Sequence, residues 1–169
     1  NMDNSAWVPS TVIQGEEPLI SGGKYQVTSL ANLYWITQNF DQWGADYEQI
    51  ADIDASVTSG WEGGVGFSPI GNGDPQFTGT YDGQGYVISY LTINRAGDNN
   101  IGLFGRAHNA TIQNLGMIDV NIAGSKYTAG LIGRSGNLSQ VSNSYSTGVV
   151  AGQTTVGGLI GQNGNSQVN

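Results

Sequence analysis

The chain has 169 residues, enough for one domain with a real core, yet only 11% of them are charged and 27 are glycine. A net charge of −8 with no basic stripe in the sequence argues against a nucleic-acid partner, whose phosphates must be met by clustered cations. The absence of cysteine excludes disulfide and thiol chemistry, and no apolar run approaches the roughly 18 residues of a helical membrane span.

Residues 1–22 read as a polar N-terminal arm or linker. Within it Trp7-Val8 and Thr11-Val12-Ile13 offer short strands that would dock on a neighbour. Residues 23–46 read as a capping unit. Tyr25-Gln26-Val27 is strand-like. Thr28 or Ser29 is suited to cap a helix, and Leu30, Leu33, Ile36 and Phe40 fall at helical spacing, which predicts a helix to about Asn39. One helix ahead of many strands has a physical use, because it covers the unpaired edges and open core of the first strand layer.

Residues 47–169 read as stacked strands. Tyr47 to Asp54 alternates, with Tyr47, Gln49, Ala51 and Ile53 on one face. Residues 55–76 read as a loop carrying Trp61, Phe67, Pro69 and Pro75, followed by strands around Phe77–Asp82 and Val87–Ile93. Ile88 and Ile112 lie 24 positions apart, which predicts an early, shorter coil.

From residue 101 a motif returns. Ile101-Gly-Leu-Phe-Gly105, Ala129-Gly-Leu-Ile-Gly133 and Gly157-Gly-Leu-Ile-Gly161 place Gly102, Gly130 and Gly158 28 positions apart. The repeats are about 101–128, 129–156 and a partial 157–169, with cores Gly102, Leu103, Gly105; Gly130, Leu131, Gly133; and Gly158, Leu159, Gly161. A fixed period in the twenties signals a repeat architecture. Each unit holds three β-prone runs separated by Gly, Asn and Ser; in the second they are Tyr127 to Ile132, Gln140 to Tyr145 and Val149 to Ala151. A unit this small cannot bury an apolar face alone, so units must stack, each strand pairing with its equivalent about 4.8 Å away. The fold class is therefore all-β, a β-solenoid with an N-terminal capping α-helix. Strand alternation sends Leu131 and Ile132 to opposite faces.

Stacking turns the period into ladders. Asn109, Asn137 and Asn165 should lie above one another with side chains free to hydrogen-bond along the stack. Arg106 should lie above Arg134, and like charges about 4.8 Å apart repel by about 1 kcal/mol in water, so the two splay outward or share an anion. Between these anchors Ile112-Gln113-Asn114 matches Val141-Ser142-Asn143 at 29 positions, a one-residue slip expected at a corner.

Candidate chemistry is sparse. Asp52 and Asp54 share a strand face, and with Asp82 they are the candidates for calcium or, as a pair, for acid–base cleavage of sugars. The reading favoured here gives Asp52 and Asp54 to turns and solvent, and Asp82 to an Asx turn in Tyr81-Asp-Gly-Gln-Gly85. No other cofactor is expected. His108 is the single histidine and reads as a turn residue. Tyr90, Tyr127 and Tyr145 are the candidates for stacking on surface glycans, and Asn109-Ala-Thr and Asn137-Leu-Ser are glycosylation sequons by pattern.

In this order, Tyr25-Gln-Val-Thr-Ser-Leu-Ala-Asn-Leu-Tyr-Trp-Ile36, Tyr47-Glu-Gln-Ile-Ala-Asp-Ile-Asp-Ala-Ser56, Pro69-Ile-Gly-Asn72, Phe77-Thr-Gly-Thr-Tyr-Asp-Gly83 and the three Gly-Leu-x-Gly runs resemble the bacterial proteins that carry the GLUG motif. That resemblance covers about residues 23–169. It implies a right-handed parallel β-helix in secreted or surface-attached, often adhesin-like proteins, and it brings no catalytic motif.

The function expected is a non-catalytic structural or adhesive solenoid module at the cell surface or outside the cell. Two alternatives stand beside it: a subunit stacking head to tail into a filament, and a glycan-binding or polysaccharide-cleaving β-helix. With Val168-Asn169 opening a further copy, the expected partners are more coils of the same protein or identical subunits on the C-terminal end.

Overall fold

A computed structural model describes residues 12–169, so Trp7-Val8 lies outside the described residues. The chain winds into a parallel β-solenoid with one α-helix near its N-terminal end. The first sheet stacks Leu19–Ser21, Lys24–Val27, Asp46–Gln49, Thr80–Asp82, Thr111–Gln113, Gln140–Ser142 and Gln167–Val168 in that order. The second stacks Ile53–Asp54, Val87–Ser89, Gly116–Ala123 and Tyr145–Ala151, with Thr92–Asn94 also paired to Gly116–Ala123. The third stacks Phe104–His108, Ile132–Gly136 and Ile160–Gly164. A short corner ladder pairs Lys126–Ala129 with Thr154–Gly157. The run from Tyr127 to Ile132 is thus two strands, broken at Gly130-Leu131.

That break corrects the alternation argument. Leu131 sits in the corner and Ile132 opens the next strand, and both are fully buried. Leu103 and Phe104 repeat the arrangement one coil earlier. Period-two alternation holds only inside a strand, whereas at a corner the chain turns and sends two successive side chains into the same core.

The core is built of inward ladders. On the first sheet Tyr25, Tyr47, Tyr81, Ile112, Val141 and Val168 are register partners. The rings of Tyr25 and Tyr47 stack at 5.3 Å and those of Tyr47 and Tyr81 at 6.4 Å. The buried Tyr81 hydroxyl donates to Gln49 Oε1 at 2.8 Å, and the Gln49 amide donates onward to the Ala51 and Val87 carbonyls. Burial raises the pKa of both Tyr47 and Tyr81, which keeps them as neutral donors.

The helix spans Leu30–Gln38, with the Ser29 side chain accepting from the Asn32 amide, as the capping rule predicts. It buries Leu30, Leu33 and Ile36, each contributing roughly 1.5–3 kcal/mol. The Trp43 indole donates to the Ile36 carbonyl at 2.7 Å, and Trp61 packs against Tyr34 and Phe67 at 5.1 and 6.1 Å. Helix and loop together plug one end of the core.

Several readings need correction. Leu19–Ser21, assigned to the arm, forms an antiparallel hairpin with Lys24–Val27 through Gly22-Gly23 and covers the sheet edge there. Val12 and Ile13 form no strand but pack half-buried against the core. The loop at 55–76 supplies the third side of the first coil: Ile70 bridges Phe104 in parallel, and Gly71 stands in register with Gly105. The early coils are longer, not shorter. Ile88 pairs with Met117 and Ile112 with Tyr81, so 24 positions separate residues that are not partners.

The one-residue slip begins at one corner and is taken back in the next sheet. Asn137 and Leu138 both hold positive φ at a corner, and Leu138 is the extra residue there, 78% exposed. The register recovers inside the second sheet, at a bulge between Met117 and Val120.

Candidate functional site

The third sheet keeps the 28-residue period without slippage, because Phe104, Ile132 and Ile160 are register partners. The second motif glycine is required sterically. A Cβ on Gly105 would lie 2.5 Å from the Asn100 carbonyl, and one on Gly133 would lie 2.5 Å from that of Tyr127. The strand therefore passes tight against the corner before it, and this fixes where the side chains that follow must emerge.

Those side chains are Arg106, Arg134 and Gln162, neighbours across the sheet as the period predicts. All three are half-buried. With His108, Ser135 and Asn137 the arginines line a groove of about 210 Å³. The Arg134 guanidinium lies 5.2 Å from the centre of the Tyr127 ring, and the Lys126 ammonium lies 4.8 Å from the same ring. Beside these cations the Tyr127 phenol is lowered, first by its hydrogen bond with Lys126. His108 is not a turn residue. It ends the strand Phe104–His108, its amide donating to the Phe77 carbonyl at 2.9 Å, and the turn falls on Asn109.

The Asn109, Asn137 and Asn165 ladder exists, with a different basis from the one expected. All three hold positive φ, a backbone region that asparagine tolerates better than most residues. The Asn109 amide donates to the Asn137 carbonyl at 3.1 Å, and the Leu138 amide donates to that of Asn165. The side-chain ladder lies one corner further on. Asn143 donates to Asn114 Oδ1 at 3.2 Å, and Asn114 donates to Asp82 Oδ1 at 3.0 Å. Spacings of 29 and 32 hide this ladder from a search at 28.

The acids are engaged in structure. Asp82 forms the Asx turn, accepting from the Gln84 amide at 2.9 Å, and also accepts from Gln113 at 2.7 Å. Desolvation pushes its pKa up, but the bonds from Asn114, Gln113 and Gln84, with Lys24 nearby, outweigh it and leave the carboxyl lowered. Asp52 accepts from the Val87 amide and Asp54 from the Ser56 amide. The Asp54 carboxyl is lowered chiefly by Ser56. Among the described residues no group of three or more acids and histidines is placed to hold a metal ion. Tyr90 and Tyr145 are about half exposed, while Tyr127 is taken up by its two cations.

A second, polar cleft of about 400 Å³ lies between Ser68, Asn72, Arg95, Asp98 and Asn100, where the buried Asn100 Oδ1 lacks a hydrogen-bond partner. Arg95 there is held by Glu62 at 3.2 Å. At the C-terminal end of the solenoid, Val156 and Val168 are 43% and 44% exposed, and Leu159 and Ile160 are half-buried. No helix among the described residues is long and apolar enough to cross a membrane.

No family model matches the chain, and no solved structure matches it. Two curated proteins do. The chain is 42% identical over 125 residues to a protein named halomucin from Haloquadratum walsbyi, a match covering 71% of this chain and 1% of that protein. It is 32% identical over 114 residues to a protein named "Putative Gly-rich membrane protein" from Evansella cellulosilytica, covering 63% of this chain and 13% of that protein. The chain thus spans only a small fraction of the length of either relative.

Proposed function

We propose that this chain is a non-catalytic structural or adhesive solenoid segment of a cell-surface protein, built of GLUG-type coils, onto whose C-terminal end another coil of the same design stacks. The observation that carries this reading is Gly158. A Cβ on Gly102 would lie 3.0 Å from the Leu131 carbonyl of the following coil, and one on Gly130 would lie 2.8 Å from the Gly158 carbonyl and still closer to Ser146. A Cβ on Gly158 would meet nothing within 4 Å, and its φ is not positive. Glycine therefore stands at Gly158 where nothing among the described residues requires it, and the requirement returns once a further coil is added.

Val156, Val168, Leu159 and Ile160 support the same reading, because they continue the inward ladders into apolar surface at that end. The great length of both relatives supports it too, and their names favour the cell surface.

The test is to insert a second copy of residues 129–156 after Val156, which keeps the 28-residue register. The thermal midpoint should rise, at roughly 2–4 °C per kcal/mol gained in a chain of this size. A protease-sensitive insert with an unchanged midpoint overturns the stacking. Filaments of the unaltered chain in electron microscopy, instead of a 17.7 kDa particle by light scattering, favour head-to-tail assembly of identical subunits at the same edge. Turnover of any polysaccharide that is lost on replacing Asp52 and Asp54 overturns the non-catalytic assignment.

A further inference from the structure

The chain carries five cations, and the fold uses them unequally. Lys24 pairs with Glu48 at 3.5 Å and Arg95 with Glu62 at 3.2 Å. Arg106, Lys126 and Arg134 form no ion pair among the described residues, yet the coils bring them together around the third sheet and its corner. The last of the 13 acids is Asp119, so no carboxylate side chain follows in the coils that carry Lys126 and Arg134. An acidic protein thus holds a local cationic groove. Both arginines are half-buried and stand one strand apart, the arrangement in which two like charges gain most from an oxyanion between them.

We propose that this groove binds the carboxylate or sulfate groups of an acidic polysaccharide. Guanidinium forks suit both groups, and Arg134 is steadied for the task by the Tyr127 ring. The groove runs along the stacking direction as far as Gln162, and the amides of Asn137 and Asn165 in its lining add partners for sugar hydroxyls between the charged groups. An extended, intermittently charged, hydroxylated ligand matches this better than a small ion. Nucleic acid fits less well, because the chain has no basic stripe to track a phosphate backbone.

The experiment uses the whole chain with dextran sulfate and polygalacturonate as probes, and with neutral dextran, free sulfate and single-stranded DNA as comparisons. Both acidic polymers should bind at low ionic strength, weaken as salt rises, and leave neutral dextran unbound. Arg106→Gln and Arg134→Gln should each weaken binding about tenfold and the pair should abolish it, as expected for charge-assisted contacts. Glutamine already occupies the equivalent position at Gln162, so these variants keep a side chain this sheet accepts. Lys24→Gln, on the first sheet, should leave binding unchanged, and circular dichroism melts should show all variants folded. If a variant melts early, Lys126→Gln carries the test, with an expected loss of several-fold. Binding unchanged in the double variant overturns the proposal. Free sulfate competing as well as the polymer at equal charge reduces the site to a simple anion site and overturns the polysaccharide. Single-stranded DNA binding as tightly as the acidic polymers also overturns it.

Discussion

The two ends of the solenoid carry the same ladders under different cover. At the N-terminal end the first-sheet ladder runs through Tyr47 and Tyr81, both fully buried, beneath the helix Leu30–Gln38, Trp43 and the Trp61 loop. At the C-terminal end the same ladder thins to Val141 and Val168, and Val168 is 44% exposed. Other ladders shrink alike: Met117 gives way to Ser146, and Val120 to Gly148. A stack of coils is held by its neighbours, so a residue's worth depends on whether a layer lies above it more than on its identity. The hairpin Leu19–Ser21 and the helix close one end without a further coil. At the other end, strand edges and the apolar side chains of Val156 and Val168 lie exposed.

Four experiments sharpen or break this contrast. The largest effect is expected at the plug: Leu33→Ala should cost about 4 kcal/mol, while Leu159→Ala at the other end should cost about 1 kcal/mol, read by urea unfolding. Equal losses would show that the last coil is as well packed as the first. Next, Gly133→Ala should cost about 3 kcal/mol, because its Cβ meets backbone that cannot step aside, whereas Gly158→Ala should change stability by less than about 0.5 kcal/mol. In a protein lengthened after Asn169 by a copy of residues 143–169, which lays a coil over Gly158, Gly158→Ala should instead destabilise.

A smaller effect concerns Asp82. Its folded pKa lies below the unfolded value, so its stabilisation is fully present above the unfolded pKa near 4 and is lost as pH falls through the folded value. Asp82→Asn should therefore cost about 1 kcal/mol at pH 7, and the gap from the parent protein should close in melts taken progressively below pH 4. A gap that persists at low pH would assign the loss to the turn itself. The smallest effect is deletion of Leu138, the residue in excess of the neighbouring coils. The thermal midpoint should move by no more than a few degrees. A collapse of the third sheet would make this corner part of the register and not an insertion.

The amino-acid sequence by itself determined the parallel stacking, the register of the third sheet and the helix cap. Each rests on a local and periodic signal: Gly102, Gly130 and Gly158 at a constant spacing, and Ser29 before Leu30, Leu33 and Ile36. Where the coils change length the period fails as a guide. Gly71 stands below Gly105 and Tyr47 below Tyr81 at 34 positions, so the third side of the first coil, within residues 55–76, reads as a loop from sequence. The Asp82–Asn114–Asn143 ladder is hidden for the same reason, and the shared burial of Leu131 and Ile132 is hidden because a corner interrupts strand alternation. The period sets Arg106 beside Arg134, but only the tertiary structure decided that Lys126 joins them around the Tyr127 ring while Lys24 and Arg95 are neutralised elsewhere. Along the chain these cations are scattered single charges. Winding places residues a coil apart within one strand spacing of each other, and it is that distance, not separation in sequence, that sets how strongly charges act on one another.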